Sequence, residues 1–179
     1  MKPGINKKGK SAKATPAAIE PAADANPTQL ETSEASNPQQ RPEKPNFQER
    51  RHYYGPMDYK LVARTSDTEF DKTRAKTKGE MAVDPAGHPY FVIFWNGRGA
   101  NSLQLLVRKA LSPLEIVKLE AVQTGSADQA ITDWPVVVCA TVKKNSAKWE
   151  QAVDAALKAK DILDGWDFEH IQCEIREEK

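Results

Sequence analysis

"PVVVCATVKKNSAKWEQAVDAALKAKDILDGWDFEHIQCEI", Pro135 to Ile175, contains three kinds of periodicity in succession. Pro135–Val142 is a short β-branched apolar run of the length and composition of a strand covered on both faces. Trp149, Ala152, Val153, Ala156, Leu157 and Leu163 then recur at helical spacing. Lys160 is the one break in that stripe, with Ser146 placed to cap the helix and Gly165 to end it. Ile171, Cys173 and Ile175 alternate with Gln172 and Glu174, which predicts a last strand with one face to the core.

Upstream, "MDYKLVART" alternates Met57, Tyr59, Leu61 and Ala63 against Asp58, Lys60, Val62 and Arg64, the period of a half-buried strand. "GEMAVD" predicts a short second strand ended by Pro85 and Gly87. The unbroken run Tyr90–Trp95 in "PYFVIFWNG" predicts a third, buried on both faces. Leu103, Leu106, Val107, Ala110 and Leu111 then fall on one side of a helix that Asn101 or Ser102 can cap. "SPLEIVKLEAV" carries two signals. Ser112 and Glu115 form a capping box behind Pro113, but Val117, Leu119 and Ala121 alternate with charges, and the segment is read as a strand. The expected fold is α+β: a mainly antiparallel sheet of about five to six strands with two helices on one face.

All aromatic residues lie beyond position 46, and residues 1–46 hold seven of the twelve prolines with only Ile5, Ile19 and Leu30 as large aliphatics after Met1. Such a segment cannot bury enough apolar surface to offset the entropy of ordering its backbone. It is expected to be a disordered tail, with a single domain over 47–179. The tip carries Lys2, Lys7, Lys8, Lys10 and Lys13 without an acid, although the whole chain has a net charge of only +1. Two cysteines are too few for a disulfide-stapled secreted domain, and no apolar run is long enough to span a bilayer or to serve as a signal peptide. The expectation is a soluble protein of the reducing cytoplasm, without contact to a membrane.

The functional hints are electrostatic. In "DKTRAKTKG", Lys72, Arg74, Lys76 and Lys78 recur at every second residue. An extended chain would place all four on one face about 6.5–7 Å apart, near the spacing of phosphates along a single strand. The same cations on a solvated turn would serve solubility alone. Arg50 to Lys78 holds eight Lys or Arg against four Asp or Glu, whereas residues 133–179 hold seven against ten. "FQERRHYYGP" sets Arg50 and Arg51 beside Tyr53 and Tyr54, rings that can stack on bases or simply cover a sheet edge.

"GRGANS" opens a predicted helix with Gly97, Gly99 and Ser102, where Arg98 can meet a phosphate. The third glycine of a dinucleotide fingerprint is missing, and no P-loop lysine follows. No cofactor is expected. His170 and Cys173 would point to opposite faces of a strand, so no metal is expected either. These features predict a non-enzymatic accessory protein that contacts single-stranded DNA or RNA through Arg50, Arg51, Tyr53, Tyr54, Lys72, Arg74, Lys76, Lys78 and Arg98. The alternative is a protein-interaction module, or a subunit of a larger assembly, carried on a flexible arm and using a sheet edge, its acidic last helix or an exposed aromatic anchor.

Overall fold

The computed structural model describes residues 41–99 and 102–179. Helix α1 (Phe47–His52), strand β1 (Tyr59–Arg64), helix α2 (Lys72–Ala75), strand β2 (Lys78–Ala82) and helices α3 (Pro89–Trp95) and α4 (Leu103–Ala110) come first. Strand β3 (Ile116–Ser126), a 3-10 turn (Ile131–Asp133), strand β4 (Val136–Val142), helix α5 (Trp149–Asp164) and strand β5 (Gln172–Glu178) follow. The class is α+β. The sheet order is β1-β5-β4-β3-β2, antiparallel throughout except for the parallel pair β4–β5 that α5 connects. That crossover places β5 inside the sheet with a neighbour on each side.

One sheet face and three helices share the main core. Val138, Ala140 and Val142 of β4 and Ile175 of β5 face Leu103 and Val107 of α4, Val153 and Leu163 of α5, and Phe91 and Trp95 of α3. Each fully buried aliphatic side chain here contributes roughly 1.5–3 kcal/mol relative to exposure. Ala152, Ala155, Ala156 and Ala159 are all buried on α5, and their small size lets the helix axis approach its neighbours closely.

Three expectations are corrected. Tyr90–Trp95 is helix α3 and not a strand, so three helices pack on this face rather than two. A continuous apolar run does not distinguish the two states, and local chemistry decides. Pro89 sits in the first turn, where its missing N–H costs nothing, and Phe91 and Trp95, four apart, stack at 5.6 Å on the buried side. Helix α5 begins at Trp149 with Lys148 as its N-cap, while the Ser146 hydroxyl instead donates to the Lys143 carbonyl. The predicted tail lies outside the described residues for positions 1–40. Within residues 41–46, Pro45 is buried, Arg41 pairs with Asp154 of α5 at 3.0 Å, and the Arg41 guanidinium and Lys44 ammonium lie over the Trp149 ring. Segment 112–123 resolves as β3 after a turn, and Ser102 caps α4 by accepting from Leu105 N–H at 3.3 Å.

Gly79 of β2 and Gly125 of β3 are register partners, and the Trp134 indole lies across both. A Cβ on Gly125 would fall 2.2 Å from the ring. Gly125→Ala is expected to cost about 1–3 kcal/mol through overpacking, measured by urea unfolding. Gly125→Ala combined with Trp134→Ala should lose much less than the sum of the two single changes.

Candidate functional site

The opposite sheet face carries the chemistry. Register pairing lines up Arg64, Glu174 and Cys139 across β1, β5 and β4, with Leu61, Arg176 and Thr141 in the next row. Glu120 faces Cys139 from β3, and Glu80 comes from β2. The chain between α1 and β1 roofs this surface. Gly55 makes the roof possible: its φ is +57°, and a Cβ there would meet the Ala75 carbonyl oxygen of α2 at 1.8 Å.

Arg176 has no exposed surface. Its guanidinium donates to Glu80, to Glu120 Oε1 at 2.6 Å and to Thr141 Oγ1 at 3.1 Å, and it lies 3.9 Å from the Tyr59 ring centroid. Glu120 also meets Lys118 Nζ at 2.6 Å. Burial by itself would lower the Arg176 pKa, but the hydrogen bond to Glu80 and nearby negative charge outweigh it, so the group is held firmly cationic. Beside it, Glu174 accepts from the Tyr53 hydroxyl at 2.6 Å and the Tyr54 hydroxyl at 2.7 Å. Lys78 Nζ stands 3.6 Å above the Tyr53 ring centroid and 4.9 Å from that of Tyr54.

Burial first, then the Glu174 charge, push both phenols well above their usual 10.0. The same two causes raise the Cys139 thiol, and burial raises Cys173 to about 12. Arg176 and Lys118 thus meet Glu80 and Glu120, while Glu174 takes its two hydrogen bonds from the phenols over which Lys78 stands. A nucleophile would need a depressed pKa and an approach from solvent; Cys139 has neither. Among the described residues no group of His, Cys, Asp and Glu could hold a metal ion. The network is a buried polar support.

This geometry redistributes the residues singled out in the sequence. Lys72 and Arg74 lie on α2, where residues two apart diverge by about 200° around the axis. Lys76 caps that helix and Lys78 begins β2, so the four do not form an extended row. Arg74 sits 3.8 Å from Asp71, and Lys78 is engaged by the tyrosines. Tyr54 is fully buried and Tyr53 is bound to Glu174, which removes both from base stacking. Arg50 donates to the Leu61 carbonyl at 3.4 Å on the β1 edge, whereas Arg51, Lys72, Lys76 and Arg98 remain exposed. Glu80, Glu120 and Arg176 were not singled out for this network. Glu174 read as a water-facing residue of an alternating strand; the signal was the charged set Glu174, Arg176 and Glu177 on a strand that the crossover places inside the sheet.

Two surfaces remain. A polar cleft of about 700 Å³ runs between residues 41–49 and 64–70, but Arg41, Lys44 and Arg64 within it already pair with Asp154, Glu150 and Glu49. The other is the outer side of α3. Tyr90, Ile93 and Phe94 are 75%, 64% and 41% exposed, and the Phe94 ring meets Trp166 at 5.2 Å and Phe168 at 6.2 Å.

Arg176→Met is expected to cost about 3 kcal/mol by leaving two carboxylates under-compensated, measured by chemical denaturation. The tyrosines set an alkaline limit. Because their folded pKa lies above the unfolded value, the native state binds more protons above pH 10, and stability falls as pH rises through that value. Ultraviolet titration should show the Tyr53 and Tyr54 phenols ionising only as the chain unfolds.

Compared with protein-family models, with curated proteins and with solved structures, the chain has no significant match, so its functional reading rests on these surfaces.

Proposed function

We propose that this chain is a non-enzymatic protein-interaction module whose docking surface is the outer face of α3. One observation carries the reading: Tyr90, Ile93 and Phe94 stand together on a helix whose orientation is fixed by Phe91 and Trp95 in the core. Exposed aromatic and aliphatic side chains grouped at helical spacing are the composition of interface anchors. The helix carries no charged residue to break the patch. A partner shielding it would gain the burial that the domain itself leaves unused. No tryptophan is a free-standing anchor: Trp95 is buried and Trp134, Trp149 and Trp166 are each half-buried, with Trp166 flanking the patch against Phe94.

A photo-cross-linker placed at position 93 should transfer its label to a protein partner in nuclease-treated extract. The transfer should disappear in Tyr90→Glu while the fold, followed by circular dichroism, is unchanged. Label transfer unaffected by Tyr90→Glu, or lost on nuclease treatment, rejects the reading.

A second reading keeps the nucleic-acid contact, now reduced to Arg51, Lys72 and Lys76, which are exposed at α1 and α2 with no ion pair among the described residues. Three phosphate contacts would give weak, steeply salt-dependent affinity. Binding of a fluorescent single-stranded oligonucleotide at 50 mM salt should be abolished by changing these three residues to Glu. An unchanged titration removes this reading.

A further inference from the structure

Resting on the α3 reading, we infer that the partner presented to this face is a short amphipathic helix with Lys or Arg beside its apolar stripe. Size gives the first argument. Two partly exposed aromatic side chains, worth roughly 150–250 Å² each when buried whole, and the smaller Ile93 fall short of the roughly 800 Å² that each partner of a stable complex contributes. A second copy of this domain, meeting it through α3 alone, would be undersized. A seven-residue helix is about 10 Å long, which matches two turns of a docked peptide whose anchors follow i, i+3, i+4 spacing.

Charge gives the second argument. Phe94 packs against half-buried Trp166 and the buried Phe168, and the same turn carries Asp167 and Glu169, both exposed. Neither carboxylate has an ion pair among the described residues, because Lys160 pairs with Asp164 and gives only a backbone contact, to the Glu169 carbonyl. On its Trp166 side the apolar surface therefore has an acidic border, and the helix has no charge of its own; exposed Arg98 follows three residues beyond its end. A basic residue flanking the incoming stripe would meet that border, while an acidic helix would be repelled.

The full chain can be titrated with three synthetic 15-residue peptides and followed by amide chemical shifts. One has Leu at positions i, i+3, i+4 and i+7 flanked by Lys, one has those Lys replaced by Glu, and one is a scramble of the first. The Lys peptide should shift Tyr90, Ile93, Phe94 and Trp166 and bind about five- to tenfold more tightly than the Glu peptide. The scramble should be weaker than the ordered Lys peptide. Asp167→Lys with Glu169→Lys should reverse the charge preference. Equal binding by both charge forms, shifts confined to other elements, or no binding overturns the inference. If label transfer from position 93 still captures a protein in those cases, the interaction-module reading stands without it. Sedimentation showing a dimer that Ile93→Glu disperses would make a second copy the occupant and overturn the inference in favour of self-association.

Discussion

A guanidinium closed off from water lies near the centre of the second sheet face, and the arrangement around it follows from keeping that charge compensated. Arg176 has to draw carboxylates from β2 and β3, which ties the far edge of the sheet to its interior strand. Replacing such a set by apolar residues of the same shape can be neutral or stabilising, whereas removing one member leaves a charge stranded. The network thus ties β2 and β3 to β5 without counting as a large source of net stability. The roof obeys the same demand, because Tyr53 and Tyr54 satisfy the Glu174 carboxylate that would otherwise be buried without donors.

The two faces of the sheet differed in how far they could be read from the sequence. The first was legible because its signals are local: one-sided apolar spacing marks α4, the body of α5, β1 and β5, turn residues bound β2, and a β-branched run marks β4. Helix α3 was misread because such an unbroken apolar run does not by itself tell strand from helix, and the decision passed to Pro89 and to the Phe91–Trp95 pair. The second face was hidden for a different reason. Glu80, Glu120 and Glu174 look like ordinary solvent-facing residues within their own strands, and only strand order brings them to Arg176. That order depends on the parallel β4–β5 crossover, which no local pattern states.

The basic segment from Lys72 to Lys78 shows how much a period can mislead when the backbone state is assumed. Its cations alternate with Thr73, Ala75 and Thr77, and an extended reading makes a continuous positive edge of them. Asp71, whose carboxylate accepts from Thr73 N–H at 2.8 Å, starts a helical turn instead, and the row divides between two elements. Two exposed features carry a functional reading: scattered cations near α1 and α2, and an apolar surface on α3. Of the two, only the second concentrates burial energy in a few contiguous side chains, and contiguity is what an interface requires.

The sheet also sets an order of events during synthesis. Among the described residues β1 has a single strand partner, β5, which lies more than 100 residues further along the chain. At the usual pace of a ribosome, 5–20 residues per second, β1 emerges roughly 5–20 s before its partner exists. Over that interval Leu61, Val62 and Ala63 have no sheet to join. A nascent chain with an unpaired apolar strand is a natural client for a holdase, and slowing translation between β1 and β5 would lengthen its exposure.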